Sequence, residues 1–264
     1  MPLKAQKSLG QNFLQSQRVI DVMVETGKVD SHDCIVEAGP GKGILTETLL
    51  SCARQVIAVE KDPRLVLYLN FKFKQHIESK KLSLLTGDIL QFDPAVENLQ
   101  PGGYKVIANI PYYLTGQFLR YFLSHNTYPA VMVLLLQKEV AERIVARDGK
   151  ESMLSLSVRA YGKPKYIETV PAELFTPRPR VDSAIVAIED ISKTFFKNTS
   201  EEHFFKILKA GFAQKRKKLS SNLSALAPRD TILGLFKQCS IPENTRAEEL
   251  PLSKWKALAR GLAS

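Results

Sequence analysis

The stretch Asn109-Ile-Pro-Tyr112 follows the apolar run Val106-Ile107-Ala108, so an amide, a proline and an aromatic ring leave the end of a candidate strand together. Such residues punctuate loops and fill core edges. They also suit one demanding reaction partner, a flat exocyclic amino group whose lone pair is delocalised into its ring. Acceptors at its two N–H groups draw the nitrogen toward tetrahedral geometry and stabilise positive charge as an electrophile arrives. Asn109 offers a side-chain oxygen and Ile110 a backbone carbonyl, and Pro111 stiffens the turn that aims both. Tyr112 adds an aromatic face on which a base removed from its stack can lie.

Three earlier segments supply a matching set of groups. Glu37-Ala-Gly-Pro-Gly-Lys-Gly43 joins a candidate strand to a helix, and Gly39, Gly41 and Gly43 let the backbone turn sharply and approach a ligand. Ile44 stands where a dinucleotide fingerprint needs its last glycine, which disfavours a nicotinamide cofactor. Glu60 ends the next strand, where a carboxylate can accept from both hydroxyls of a ribose, although Glu60-Lys61-Asp62 also reads as charge at a helix start. Asp88, after Gly87, is an acceptor for an adenine amino group, beside Ile89 to cover the ring. No Walker Lys-Ser/Thr pair follows the glycine loop, so an adenosine cofactor without a phosphate chain fits best, and that cofactor is S-adenosylmethionine.

Elements that could hold these groups in one crevice are legible. Strands are expected at Cys34–Ala38, Gln55–Glu60, Leu82–Thr86, Lys105–Asn109 and Ala130–Leu136. Helices are expected at Ile44–Cys52, Pro63–Phe73, Gln117–His125, Glu139–Arg147 and Ser152–Tyr161. That alternation predicts a mostly parallel sheet, and two late strands, Tyr166–Val170 and Ser183–Glu189, give it an antiparallel edge. Beyond Asp190 the pattern is helical, over Glu202–Leu226, Thr231–Gln238 and Ala247–Leu262. The expected organisation is an α/β domain over 1–191 and a small all-helical domain over 192–264.

The 264 residues carry a formal net charge of +10, which favours a polyanionic partner or an anionic surface over a neutral metabolite. Lys215-Arg216-Lys217-Lys218 falls on an expected helix, while Lys4, Lys7, Arg178 and Arg180 add charge at segments adjoining the site, so all eight are candidates for contact with a nucleic-acid backbone. Three cysteines and four histidines show no metal-ligand spacing, so neither a metal nor a disulfide framework is expected. No apolar run approaches the roughly 20 residues of a membrane span, and the first residues lack a secretory signal's apolar segment. A cytoplasmic monomer without membrane contact is expected.

With these motifs assembled, the chain resembles the rRNA adenine N6-dimethyltransferases, most closely the KsgA-type small-subunit branch. Gly10-Gln-Asn-Phe-Leu14 is similar to the family's N-terminal cofactor motif, and Glu37–Gly43, Glu60, Asp88 and Asn109–Tyr112 are similar to its glycine loop, ribose ligand, adenine ligand and catalytic motif. Gln137–Val140 and Phe175–Ser183 match as well. The resemblance implies a Rossmann-like methyltransferase domain and a cofactor site that also includes Gln11, Asn12, Leu14 and Lys61. It places Phe175 near the target base. It implies N6,N6-dimethylation of two adjacent adenosines in the 3′-terminal hairpin loop of small-subunit rRNA within an assembling subunit. Ser16, and Tyr113-Leu-Thr-Gly116 after the catalytic tyrosine, depart from the commoner pattern.

Erm-type large-subunit methyltransferases share the catalytic motif, whereas Phe212–Leu219 with Asn222-Leu223 resembles the small-subunit branch. DNA adenine methyltransferases would need a target-recognition insertion that this chain lacks. A non-catalytic assembly factor of the same fold would not need the intact loop and Asn109.

Overall fold

The computed structural model describes residues 5–6 and 9–262. Lys4 and Lys7 lie outside the described residues. Among the described residues, a seven-stranded sheet is built from β2 (Cys34–Ala38), β3 (Gln55–Glu60), β4 (Leu82–Thr86), β5 (Lys105–Asn109), β6 (Val131–Gln137), β7 (Lys163–Val170) and β9 (Ser183–Glu189), in the order β4-β3-β2-β5-β6-β9-β7. The first five in that order are parallel, and β9 runs antiparallel to both β6 and β7. A short ribbon pairs β1 (Phe13–Leu14) with β8 (Phe175–Thr176).

Every residue of β2 and nearly all of β3 and β6 is buried, as strands covered on both faces require. Ile35, Ile107, Val133 and Ile185 share a core with Val19, Ile20 and Met23 of α1 (Gln17–Thr26) and with Leu45 and Leu49 of α2 (Ile44–Cys52). Next come α3 (Pro63–Lys72), α4 (Lys74–Glu78), α5 (Thr115–Ser124) and α6 (Lys138–Ile144). Asp62 caps α3 by accepting from the Arg64 N–H, with Pro63 at the first helical position. No element was expected before Cys34, so α1, β1 and its partner β8 are additions. The expected strand at Tyr166 begins earlier, at Lys163, because β7 is an edge strand and tolerates the missing N–H of Pro164.

The chain divides into two compact units, Met1–Ala141 with Lys163–Ile191, and Glu142–Gly162 with Ser192–Ser264. The segment 142–162, assigned from sequence to the first domain, therefore packs with the helices. It holds α7 (Met153–Arg159), and its Tyr161 hydroxyl donates to Glu201 at 2.7 Å while the Glu151 N–H donates to the Glu248 carbonyl at 2.8 Å. The rest of the unit comprises α8 (Glu201–Gly211), α9 (Leu219–Leu223), α10 (Arg229–Gln238) and α11 (Leu252–Gly261).

The single helix expected over Glu202–Leu226 is broken. The Asn222 side chain donates to the carbonyls of Gly211 and Gln214 at 2.6 and 3.1 Å, taking groups that a continuing helix would have used. Lys215–Lys218 consequently sit on the exposed loop between α8 and α9, not on a helix face. Gly211 is where α8 meets the fully buried Trp255, since an added Cβ would lie 2.3 Å from its ring. Gly211→Ala sets about 1 kcal/mol of gained helix propensity against an overpacking cost of roughly 1–3 kcal/mol. The contact is short enough for packing to win. The variant should have a lower urea midpoint at unchanged m-value, and an unchanged or raised midpoint would show that Trp255 yields.

Candidate active site

From β2 the chain moves outward to β3 and β4, then returns to place β5 on the other side of β2. The connections leaving β2 and β5 therefore diverge, and a crevice opens at the carboxyl ends of the strands. It holds a cavity of about 250 Å³ lined by the ends of β2, β3 and β5, the loop after β4, and the segment 9–14.

Gly39, Gly41 and Gly43 all adopt left-handed φ, at +65°, +60° and +77°. Their surroundings differ. A Cβ on Gly39 would meet nothing within 4 Å, so this backbone is open to the cavity, whereas one on Gly43 would lie 2.6 Å from Phe73. Gly43 does not line the cavity and serves helix packing, which corrects its assignment as a cofactor contact.

Glu60 fastens this loop to β3. One carboxylate oxygen accepts from the Gly41 N–H at 3.1 Å and the other from the Asp62 N–H at 2.9 Å. Each oxygen retains acceptor capacity at the cavity wall, which is what a vicinal diol requires. Burial raises the Glu60 pKa, and the backbone donors oppose that rise. Asp88 caps the short turn Ile89–Gln91 through the Leu90 N–H and pairs with Lys61 at 2.8 Å. Lys61 foremost, with the Leu90 N–H, holds the Asp88 carboxyl below its usual range. Ile89 is buried and lines the cavity beside it.

The segment 9–14 closes one side. The Gln11 amide donates to Asp62 at 3.1 Å, and the Asn12 carbonyl accepts from the Asn109 amide at 3.3 Å. Asp62 was read from sequence only as helix-start charge, yet its second oxygen ties down this segment. Its carboxyl is held down at about 2, chiefly by Arg64. With the Asn109 nitrogen directed at Asn12, its oxygen is left as the acceptor. Gln11, Asn12, Leu14, Glu37, Lys61, Ile110, Pro111 and Tyr112 line the same cavity. The Tyr112 hydroxyl shares a 2.8 Å hydrogen bond with Ser183, which fixes the half-buried ring.

Phe175 is not brought to the cavity. It is 2 % exposed, pairs with Leu14 in the β1–β8 ribbon and belongs to the core, so its placement beside a target base is corrected. Arg178 and Arg180 are exposed on the following loop. Among the described residues no group of three or more His, Cys, Asp or Glu side chains could hold a metal.

The sequence matches the family described as ribosomal RNA adenine dimethylase over residues 3–263. The chain belongs to that family. It is 43 % identical over 261 residues to a ribosomal RNA small subunit methyltransferase A of Dehalococcoides mccartyi, covering 97 % of this chain and 88 % of that protein. Two crystal structures share the fold at 24 % identity. A dimethyladenosine transferase from Plasmodium falciparum superposes with a TM-score of 0.80, covering 93 % of this chain and 95 % of that one. The 23S rRNA methyltransferase ErmE superposes with 0.77, covering 96 % and 100 %. As a dimethylase the chain is an S-adenosylmethionine-dependent enzyme, and the cavity's donors and acceptors fit that cofactor: a diol acceptor at Glu60, an amine acceptor at Asp88 and an open glycine backbone at Gly39.

One further group faces the cavity. The Glu37 side chain is 1 % exposed by residue, and its Oε2 and the Thr46 hydroxyl have no hydrogen-bond partner. Burial pushes this carboxyl from 4.5 up to about 8. Below pH 4.5 it is protonated in both folded and unfolded chains. As pH rises toward 8 the unfolded chain releases the proton and the folded chain keeps it, so stability falls across that window and then levels. Without ligand, Glu37→Gln should flatten a decline of a few kcal/mol between pH 5 and 8, measured by urea unfolding. Parallel curves for the two proteins would mean that Glu37 is already ionised when folded.

Proposed function

We propose that this dimethylase acts on two adjacent adenosines in the 3′-terminal hairpin loop of small-subunit rRNA within an assembling subunit, converting each to N6,N6-dimethyladenosine. The observation that carries the chemistry is the Asn109–Asn12 hydrogen bond. It engages the amide nitrogen and leaves the side-chain oxygen to accept from the target amino group. In this reading Asn109 and the Ile110 carbonyl accept from the adenine N–H groups, and Tyr112 supports the ring of a base drawn out of its stack.

When bound, S-adenosylmethionine supplies an electrophilic methyl group on a sulfonium sulfur. Glu60 holds its ribose, Asp88 and Ile89 its adenine, and Gly39 and Gly41 its close approach to backbone. No strong general base is needed, because the ammonium formed at the nitrogen loses its proton readily to water. Arg178 and Arg180, and the exposed Lys215–Lys218 loop, serve as contacts to the RNA backbone that position without reading bases.

The small-subunit substrate rests on the sequence likeness to small-subunit enzymes, whereas the ErmE likeness is one of fold. Labelled methyl transfer to unmethylated small subunits, large subunits and DNA in parallel tests the choice. The small subunit should be the substrate, and preferential labelling of large subunits would overturn the assignment. In the same assay Asn109→Ala should lower transfer by about 10²–10³ while S-adenosylmethionine affinity changes little. Transfer at the wild-type rate would remove Asn109 from the chemistry.

A further inference from the structure

The catalytic strand end carries two adjacent tyrosines with different surroundings. Tyr112 is anchored inward through Ser183. Tyr113, the next residue, also lines the cavity but is 63 % exposed, and among the described lining residues it is the one large apolar side chain exposed to solvent. The hydrophobic effect gives no reason to keep an aromatic ring there.

The ring is nevertheless held. Gly10, at φ +62°, lies against one side of it: a Cβ on Gly10 would come 3.2 and 3.3 Å from two ring carbons and 3.5 Å from Pro111. Pro111, on the same turn, restricts the backbone that presents the ring. Lys61, whose side chain is 57 % exposed and pairs with Asp88 at 2.8 Å, lines the same cavity, so the wall that Tyr113 shares is polar and charged on one side. A seated aromatic ring with exposed surface, at the mouth of a cavity for a flipped base, is the arrangement that binds a single-stranded nucleotide by stacking.

We propose that Tyr113 is a substrate-binding residue, a platform on which the nucleotide adjoining the target adenosine stacks while the target occupies the cavity. The inference rests on the reading of the site as an rRNA adenine site. With two adjacent adenosines as substrate, one base enters past Tyr112 and its neighbour remains at the mouth, where Tyr113 offers the only large exposed apolar surface among the described lining residues. Stacking there would hold the flipped geometry and keep the two substrate bases apart.

The test compares Tyr113→Phe, Tyr113→Leu and Tyr113→Ala with the wild-type chain, using unmethylated small subunits and S-adenosylmethionine. Phe keeps the π-face, whereas Leu keeps apolar bulk against Gly10 and loses the face. Leu and Ala should raise KM for subunits on the order of tenfold to a hundredfold. Phe should restore the wild-type value, and the calorimetric Kd for S-adenosylmethionine should hold in all variants. Equal KM values for wild type, Leu and Ala would overturn the platform. So would a parallel loss of S-adenosylmethionine affinity, which would make Tyr113 a clasp on the Gly10 turn. If the wild-type chain transfers no methyl group to small subunits, the functional reading fails first and the platform falls with it, an outcome distinct from a variant-specific change.

Discussion

Two parallel neighbours, β2 and β5, send their chains away in opposite directions, and the site depends on that divergence. A parallel sheet with both faces covered has no other natural opening, because loops that leave on the same side pack against one another. Here the glycine loop leaves β2 on one side of the gap and Asn109–Tyr112 leaves β5 on the other. A group held by the first is therefore presented to the second. The register of the central strands, Ile35 beside both Val56 and Lys105, keeps the two ends level across the gap.

The crevice is lined largely by apolar side chains, and the few polar groups among them are fixed before any ligand arrives. Glu60 is bound by two backbone N–H groups, Asp88 by a third and by Lys61, and Asn109 by a carbonyl of the segment that walls the cavity. Fixed acceptors avoid reorganisation at the moment of reaction, which is where preorganised sites gain most over water. Buried Glu37 is the exception: one of its oxygens has no hydrogen-bond partner, and the neighbouring Thr46 offsets only part of the cost of burial. Its raised pKa is the electrostatic consequence.

Much of this was legible because the signals were local. Strand ends with glycine, glutamate, aspartate and asparagine are visible as short runs, and central strands buried on both faces read as apolar segments. What was missed depends on partners distant in sequence. The β1–β8 ribbon joins residues more than 160 positions apart, and it is this pairing that buries Phe175. The break after Gly211 follows from Asn222, whose bonds to the Gly211 and Gln214 carbonyls are not visible in helical periodicity. Segment 142–162 reads as a continuation of the α/β pattern, and its place with the helices is set by contacts to Glu201 and Glu248. Asp62 reads from sequence only as charge at a helix start, and its tie to Gln11 appears only when segment 9–14 is brought beside α3.

The central claim is that the diverging strand ends form an adenosyl site whose carboxylates are already in place. A crystal structure of the chain with S-adenosylhomocysteine tests it most directly. The account predicts both ribose hydroxyls within roughly 2.6–3.2 Å of the Glu60 oxygens, with the Gly41 and Asp62 N–H bonds to that carboxylate retained and the adenine amino group at Asp88. A nucleoside bound away from Glu60, or a Glu60 side chain that must leave its backbone donors to reach the ligand, would contradict it.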